Sequence, residues 1–152
     1  MNLVSNQINS LSGEIACPGD KSISQRILIL GSFLNCNMII KGFLDAYDPN
    51  STLNALNSIG ASIEKKETEI VLHKREQPFK KPLNDLDLGN SGTGMRLLLG
   101  FISGLGINAT LVGDESLSKR PMLRVIEPLQ DMGVKLTSNE GRAPIKILES
   151  NI

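Results

Sequence analysis

The sequence is poor in the residues that several common classes of catalytic and metal site need. Its only histidine, His73, ends the alternating run EIVLH, which is typical of an exposed strand end. The two cysteines, Cys17 and Cys36, do not belong to a paired Cys/His motif with zinc-binding spacing. We expect both to be reduced and partly buried, because free cysteine is among the most buried residue types. With one histidine at an expected strand end, the sequence argues against a Ser-His-Asp triad and against a histidine-ligated metal.

The chain also lacks an excess of charge and any long apolar run. Its 152 residues include 16 Lys+Arg and 16 Asp+Glu, for a formal net charge of +0. This balance argues against nucleic-acid binding through bulk positive charge, so any anion binding must be local. The sequence contains no run of about 18 apolar residues, so it predicts no membrane span. The first 17 residues lack the basic and apolar regions of a secretory signal. We therefore expect a cytoplasmic protein that binds neither nucleic acid nor a membrane.

The first half of the chain, about residues 13–75, shows signals in the order strand, helix, strand, helix, strand, strand. The short strand GEIACPG precedes the helix SISQRILILGSFL, whose apolar residues from Ile23 onward are four, three and four positions apart. The strand NMIIKGF follows. The next helix, DPNSTLNALNSIG, has Asp48 as its expected N-cap and Gly60 directly after its end. ASIEKKETEIVLHK alternates on both sides of a polar turn, which predicts a hairpin.

The second half, about residues 84–149, repeats this order. NDLDLGN and NATLVGD are predicted strands on either side of the helix SGTGMRLLLGFISG. RPMLRVIEPLQDMG is a predicted helix that Pro128 should kink or shorten. The strands VKLTS and PIKILES follow, around the turn NEGRA. Because RILILG matches RLLLG at an offset of about 70 residues, we predict two βαβαββ units packed as one α/β domain.

Both units place polar residues between their first strand and first helix, where free backbone N–H groups favour anion binding. In the first unit this stretch is PGDKSISQR. Lys21 precedes the helix, and Ser22 and Arg26 are four residues apart on one helical face. A capped, solvated helix start explains each stretch equally well in isolation. The same feature at equivalent points of two units favours a ligand site.

In the second unit the corresponding stretch is GNSGTGMR. Asn90 and Thr93 can add side-chain hydrogen bonds to a ligand, and Arg96 lies one turn into the helix. The stretch contains three glycines that allow close approach of a backbone to a ligand: Gly89, Gly92 and Gly94. Neither stretch matches the phosphate loop G-x-x-x-x-G-K-[ST] or the dinucleotide fingerprint G-x-G-x-x-G.

A third polar cluster, GDESLSKRPM, follows the second strand of the second unit. Lys119 and Arg120 stand directly before Pro121. Arginine suits a planar carboxylate or a phosphate, because its guanidinium can donate to two oxygens at once. A solvated charged loop is the alternative. Three such clusters at the strand ends of one domain would surround a small ligand that carries several negative charges.

The stretches PGDKSISQR, GNSGTGMRLL and GDESLSKRPMLRVIEPLQDMG together resemble the enolpyruvyl transferases, and specifically the 5-enolpyruvylshikimate-3-phosphate synthase family. The resemblance covers essentially the whole chain. It implies two similar globular domains, each built from three βαβαββ units, with the active site in the cleft between them and no metal or organic cofactor. The usual chain of this family is well over twice as long. The resemblance therefore implies an N-terminal portion that lacks the second globular domain.

The resemblance implies transfer of the enolpyruvyl group of phosphoenolpyruvate to the 5-hydroxyl of shikimate 3-phosphate, with release of phosphate. Lys21 would be catalytic and contact both substrates, and Ser22 and Arg26 would hold shikimate 3-phosphate. Gly92 and Arg120 would hold phosphoenolpyruvate. The residues expected to support this arrangement are Asn90, Thr93 and Arg96.

Two alternatives and two departures accompany this resemblance. The UDP-N-acetylglucosamine enolpyruvyl transferases typically carry Lys-Asn where this chain has Lys21 and Ser22. A non-catalytic anion-binding domain is the alternative from a different class. The family often has histidine in place of Gln25, so a hydrogen bond differs there. Its acidic residues for proton transfer lie in the second domain, and Asp20 or Asp114 cannot replace them. We therefore expect the chain alone to be inactive.

Overall fold

The fold is α/β, as predicted. A computed structural model describes residues 3–67 and 69–149 of the chain. The helices of this part are α1 Lys21–Leu34, α2 Tyr47–Ser58, α3 Gly92–Gly104, α4 Glu115–Ser118 and α5 Leu123–Asp131. The strands are β1 Met38–Lys41, β2 Ile63–Lys65, β3 Glu69–Leu72, β4 Leu86–Asp87, β5 Ala109–Val112, β6 Lys135–Asn139 and β7 Arg142–Glu149.

Two sheets with related topology form the framework. The first has the strand order β1-β3-β2 and the second the order β4-β5-β7-β6. In both, one strand pairs antiparallel with its neighbour on each side, as β3 does with β1 and β2, and β7 with β5 and β6. β4 pairs parallel with β5, with α3 as the connection between them. The ends of β4 and β5 therefore place the loops 88–91 and 113–114 side by side.

The predicted hairpin and the main helices are confirmed, together with two predicted helix details. The helix that contains Pro128 is shorter than its pattern and forms α5. Gly60 follows α2 with φ +101°, a left-handed conformation that favours glycine at this position. The predicted strand PIKILES supplies residues 144–149 of β7. Its last residue, Ser150, lies outside the described residues.

The strand predicted for GEIACPG is wrong. Residues 13–19 form neither helix nor strand, and Ile15 is 85% exposed. A strand needs a partner for its backbone N–H and C=O groups, and these residues do not pair with β1 as β4 pairs with β5. The expected partial burial of the two cysteines is also wrong, because both Cys17 and Cys36 are free and exposed. Cys17 lies in this unpaired segment, and Cys36 lies in the turn after α1.

The hydrophobic core is continuous and centres on α3. Leu28 of α1 and Leu56 of α2 are fully buried beside it. The fully buried residues of α3 itself are Met95, Leu98, Leu99 and Ile102. The apolar stripe that predicts α1 lies on its other side, where Ile23 and Leu34 are 67% and 63% exposed. The buried face of α1 contains Leu28 and Ile29 together with the polar residues Ser24, Gln25 and Ser32. No helix of the part that the structure describes is long and apolar enough to cross a membrane.

A surface ion pair before α2 gives the first testable prediction. The Asp45 carboxylate accepts hydrogen bonds from Lys65 Nζ at 2.5 Å and from Asn50 Nδ2 at 2.7 Å. The Lys65 contact, followed by that of Asn50, holds the pKa of Asp45 below its ordinary value. The resulting stabilisation is present above the unfolded-state pKa and is lost as the pH falls through the folded-state pKa.

We therefore expect Lys65→Met to raise the pKa of Asp45 toward its ordinary value. The change in stability should be small, because an exposed ion pair is screened by solvent. A carbon-13 NMR titration of the Asp45 carboxyl measures the pKa directly, with Lys66→Met as the control for the loss of one positive charge from the same hairpin. An unchanged pKa in Lys65→Met would contradict the assignment of the shift to this contact.

Candidate functional site

The first helix begins with the residues that the sequence predicts as an anion site. Asp20 is the N-cap of α1, and its carboxylate accepts a hydrogen bond from the Ile23 backbone N–H at 2.7 Å. Lys21 is the first helical residue, and Ser22 and Arg26 are one turn apart on the same face. The Arg26 side chain is exposed, and no described residue forms a hydrogen bond or ion pair with it. Its guanidinium is available to an anion.

Lys21 is held against the second helix. Its Nζ lies 2.9 Å from Oδ2 of Asp48, whose side chain is 18% exposed whereas that of the lysine is 49% exposed. The prediction of Asp48 as the N-cap of α2 is wrong, because Ala46 occupies that position and Asp48 is the second residue of the helix. The carboxylate pairs with the lysine ammonium instead of capping the helix. The ion pair brings the first turns of α1 and α2 together.

The start of α3 presents its backbone beside two arginines. Ser91 is the N-cap, and its Oγ accepts a hydrogen bond from the Gly94 N–H at 3.1 Å. A Cβ added to Gly92 would lie 3.0 Å from Nη1 of Arg96 and 3.1 Å from Nη1 of Arg120. An anion that approaches the backbone of Gly92 therefore meets two guanidinium groups. The N–H groups of Gly92 and Gly94 in this turn donate to the Asn90 carbonyl oxygen and to Ser91 Oγ.

Arg120 is joined to this turn through Asn90. The guanidinium of Arg120 donates a hydrogen bond to Oδ1 of Asn90, whose Nδ2 donates to Oδ2 of Asp114 at 3.1 Å. The Asp114 backbone N–H donates to the carbonyl oxygen of Gly89 at 2.8 Å. The polar stretches at residues 89–94 and 113–121 are thus one connected structure, with Arg120 at their junction.

Arg96 spans the same two stretches from the other side. Its Nη1 donates to the carbonyl oxygen of Gly92 at 3.2 Å, and its Nη2 donates to that of Pro121 at 3.2 Å. Its Nε is buried without a hydrogen-bond partner among the described residues. Because both terminal nitrogens bind backbone carbonyls, Arg96 holds the loops together. A supporting role toward the ligand stays a prediction for Arg96, as it does for Thr93.

The third predicted cluster contains a short helix, α4, that begins with Asp114 as its N-cap. Lys119 Nζ pairs with Glu115 at 2.5 Å, and the lysine side chain is 72% exposed. Of the two adjacent cations, Lys119 is therefore bound to a neighbouring acid and Arg120 points to Asn90. Asp20 and Asp114 both serve as helix caps, with Asp114 accepting from the Leu117 N–H at 2.7 Å.

No three histidine, cysteine, aspartate or glutamate side chains are grouped to hold a metal ion within residues 3–67 and 69–149. The N–H of Gly92 already donates to the carbonyl oxygen of Asn90 at 3.0 Å. The groups that the site offers to a ligand are the cations of Lys21, Arg26 and Arg120 and the hydroxyl of Ser22. All of these donate hydrogen bonds, and the three cations carry positive charge. The arrangement suits an anionic ligand.

Two of the three glycines expected to face a ligand instead pack against protein. A Cβ on Gly94 would lie 2.6 Å from Ser91 Oγ, 2.8 Å from Thr52 Oγ1 and 2.9 Å from Gln25 Nε2. A Cβ on Gly89 would collide with the ring of Tyr47. Neighbouring side chains already occupy the space beside both Cα atoms. Gly92 alone of the three has cationic groups beside its Cα.

Gln25, Asp48 and Ser91 are site residues that the sequence analysis does not assign to the site. Gln25 is fully buried, with Nε2 2.7 Å from Ser91 Oγ. Helical spacing offers one signal, because residue 25 lies three and four positions before the buried Leu28 and Ile29 and so shares their face. Asp48 and Ser91 carry no comparable signal in the sequence.

Comparison with known proteins gives a consistent result. Residues 5–152 match the family model described as EPSP synthase (3-phosphoshikimate 1-carboxyvinyltransferase). The 3-phosphoshikimate 1-carboxyvinyltransferase of Ruthia magnifica subsp. Calyptogena magnifica is 49% identical over 140 residues, which are 91% of this chain and 32% of that protein. The protein of the same name from Legionella pneumophila (strain Lens) is 44% identical over 149 residues, which are 97% and 34% of the two chains.

Solved structures agree with the sequence relatives. An EPSP synthase structure from Acinetobacter baumannii superposes with a TM-score of 0.81 at 40% sequence identity. The match covers 89% of this chain and 31% of that one. A second structure of EPSP synthase from Acinetobacter baumannii gives a TM-score of 0.80 at the same identity. The present chain therefore spans about a third of the length of the relatives that it matches.

Proposed function

The chain belongs to the EPSP synthase family, and from this premise we propose that it forms part of an enzyme of aromatic amino-acid biosynthesis. The proposed reaction transfers the enolpyruvyl group of phosphoenolpyruvate to the 5-hydroxyl of shikimate 3-phosphate and releases phosphate. The relatives that carry the name 3-phosphoshikimate 1-carboxyvinyltransferase are about three times as long. The activity is therefore proposed for a larger protein, to which this chain contributes one side of the active site.

The observation that supports this function most directly is the convergence of cationic groups at two linked helix starts. Lys21 and Arg26 stand at the start of α1, and Arg120 stands against the start of α3. Gln25 joins the two helix starts through Ser91. Both proposed substrates are polyanions that repel each other. Fixed cations and helix N-termini offset this repulsion and bring the reacting groups within reach.

We propose the following roles for the site residues. Lys21 contacts both substrates close to the reacting groups, and Ser22 and Arg26 hold shikimate 3-phosphate. The backbone at Gly92 and the guanidinium of Arg120 hold phosphoenolpyruvate. The arrangement is supported by Asn90, Thr93 and Arg96. The contacts of Asn90 with Arg120 and of Arg96 with Gly92 support this division of roles.

We propose that the chain binds substrate weakly alone and does not turn it over. Proton transfer needs an acid or base that is not already engaged, and Asp20 and Asp114 accept hydrogen bonds as helix caps. A second globular domain is the proposed partner that supplies these groups. The exposed apolar stripe of α1, with Ile23 and Leu34, supports further packing of this kind.

The proposal includes a cytoplasmic location for the enzyme. Two exposed cysteines without a disulfide support this location, because reducing compartments keep such thiols free.

Binding of shikimate 3-phosphate to the 152-residue chain, measured by isothermal titration calorimetry, tests the proposed function. We expect Lys21→Ala and Arg26→Ala each to weaken binding about tenfold or more, because each removes a charge-assisted hydrogen bond. Lys66→Ala is the matched control, since Lys66 is an exposed lysine on the β2–β3 hairpin to which no role in the site is assigned. This control should bind as the unchanged chain does.

Three results would count against the proposal. Equal affinity in Lys21→Ala, Arg26→Ala and the unchanged chain would remove the assigned roles of both residues. Turnover by the isolated chain would contradict its expected inactivity. Tighter binding of UDP-N-acetylglucosamine than of shikimate 3-phosphate in the same assay would favour the UDP-sugar enolpyruvyl transferases.

A further inference from the structure

Gln25 lies where the first turns of three helices meet. It belongs to the second turn of α1, and its side chain is fully buried. Its Nε2 is 3.2 Å from the carbonyl oxygen of Asp48 and 2.9 Å from Oγ1 of Thr52, both in α2. The same nitrogen is 2.7 Å from Oγ of Ser91, the N-cap of α3. One carboxamide thus connects α1 to the starts of both α2 and α3.

The Asp48 carbonyl sets the orientation of the amide, which leaves Oε1 of Gln25 buried without a hydrogen-bond partner among the described residues. The two N–H hydrogens of Nε2 are shared among three acceptors. A backbone carbonyl can only accept a hydrogen bond, so the oxygen of Asp48 requires the nitrogen end of Gln25. The hydroxyls of Thr52 and Ser91 can accept from the amide and still donate elsewhere. Thr52 Oγ1 lies 3.2 Å from the same Asp48 carbonyl, which it can supply with a second donor. The cluster is therefore a hydrogen-bond network in which Gln25 of α1 supplies the bonds to α2 and to the N-cap of α3.

The packing around Gly94 makes this network rigid. A Cβ at Gly94 would lie within 3 Å of Ser91 Oγ, Thr52 Oγ1 and Gln25 Nε2. The carboxamide therefore fills the space beside the α3 backbone that a larger residue at position 94 would occupy. Any movement of α3 relative to α1 has to break the Gln25–Ser91 contact or compress this packing. The side chain of Gln25 thus lies between the two helix starts and contributes to the distance between them, together with the apolar core.

We propose that Gln25 is a positioning residue that sets the relative position of the two anion-binding helix starts. Its hydrogen bond to Ser91 positions the turn that contains Gly92. Its contact with the Asp48 carbonyl positions the segment whose carboxylate holds Lys21. Gln25 is buried and does not meet the ligand itself. The inference rests on the proposed function in one respect, because the consequence for substrate affinity requires that both turns bind the substrates.

The test compares Gln25→Met with the unchanged chain. Methionine has nearly the same length as glutamine and keeps the site filled, but it cannot donate to the Asp48 carbonyl or to Ser91. Ser32→Ala is the matched control on the same helix, because Ser32 is also buried and its Oγ has no hydrogen-bond partner among the described residues. Gln25→Asn retains the amide on a shorter side chain and provides the comparison if the methionine variant does not fold.

Amide hydrogen exchange gives a readout that needs no ligand. The Gly94 N–H is bonded to Ser91 Oγ, whereas Leu111 lies in the middle of the second sheet. We expect Gln25→Met to speed exchange at Gly94 by about tenfold relative to exchange at Leu111. Loss of the Gln25 contact should favour local opening of the turn that contains Gly94, whereas the sheet that contains Leu111 should not open with it. In a Ser91→Ala background the substitution should add almost nothing, because Gln25 acts through that hydroxyl.

Calorimetry gives the second readout. We expect the Kd for phosphoenolpyruvate, in the presence of shikimate 3-phosphate, to rise about fivefold or more in Gln25→Met and to stay unchanged in Ser32→Ala. Equal acceleration of exchange at Gly94 and Leu111 would show a purely global effect and overturn the inference. Faster exchange at Gly94 with unchanged affinity would overturn the link to substrate binding. If the unchanged chain binds neither substrate, the proposed function fails, and the exchange ratio still decides whether Gln25 positions α3.

Discussion

Replacing Arg120 with alanine is expected to weaken binding of phosphoenolpyruvate by about ten- to a hundredfold, because hydrogen bonds to charged groups contribute about 1.5–3 kcal/mol each. The guanidinium lies 3.1 Å from the position that a Cβ on Gly92 would occupy, and it donates to Asn90. Its removal takes away a planar cation and leaves Oδ1 of Asn90 without this donor. Calorimetric titration of phosphoenolpyruvate into the chain saturated with shikimate 3-phosphate measures the loss.

Two further substitutions separate the geometry of Arg120 from its charge. Arg120→Lys keeps the charge but loses the planar fork, so its affinity should fall between those of the unchanged chain and Arg120→Ala. Arg124→Ala removes an equal charge from an exposed position in α5 and should leave affinity unchanged. If Arg120→Ala and Arg124→Ala lose the same affinity, net charge explains the binding and the specific role of Arg120 is wrong.

The helices of the site could be predicted because their signals are local. The segments that become α1 and α3 have apolar residues at helical spacing, and each follows a polar stretch that contains glycine. The hairpin of β2 and β3 was equally accessible, since alternation on both sides of a polar turn is a short-range pattern. These patterns place the anion-binding residues at helix starts without any knowledge of tertiary contacts.

The connections between the helix starts could not be predicted in the same way. The hydrogen bond between Gln25 and Ser91 joins residues 66 positions apart, and the ion pair of Lys21 with Asp48 joins residues 27 positions apart. No local pattern specifies which polar side chain meets which partner after the chain folds. Asp48 shows the consequence, because its capping propensity is real but a lysine from another helix competes for the carboxylate.

The failures at residues 13–19 and at the two cysteines share a physical cause. Propensity describes an average over many environments, whereas strand formation and burial require a neighbour at one particular place. Residues 13–19 have no adjacent strand in the described fold. Cys17 and Cys36 lie in segments that no other element covers. A segment can thus have the composition of a strand or of a buried site, and still remain unpaired or exposed because no neighbouring element packs against it.

Replacing Gly94 with alanine is expected to destabilise the chain by about 1–3 kcal/mol, the usual cost of inserting a group into a filled core. The new Cβ would lie 2.6 Å from Ser91 Oγ and 2.8 Å from Thr52 Oγ1. These are short hydroxyl side chains held by hydrogen bonds, so they have little freedom to move away. Urea unfolding followed by circular dichroism measures the change in the free energy of unfolding.

Gly100→Ala in the same helix is the matched control, and the opposite sign is expected for it. Apart from its chain neighbours and the backbone of α3 itself, nothing lies within 4 Å of a Cβ at Gly100. Alanine there reduces the conformational entropy of the unfolded chain and should stabilise by about 0.5–1 kcal/mol. Both variants make the same chemical change in α3, so a difference in sign isolates the packing of the Gln25, Thr52 and Ser91 cluster. If both variants are stabilised, the space beside Gly94 is not filled, and the rigid link between the two helix starts is lost with it.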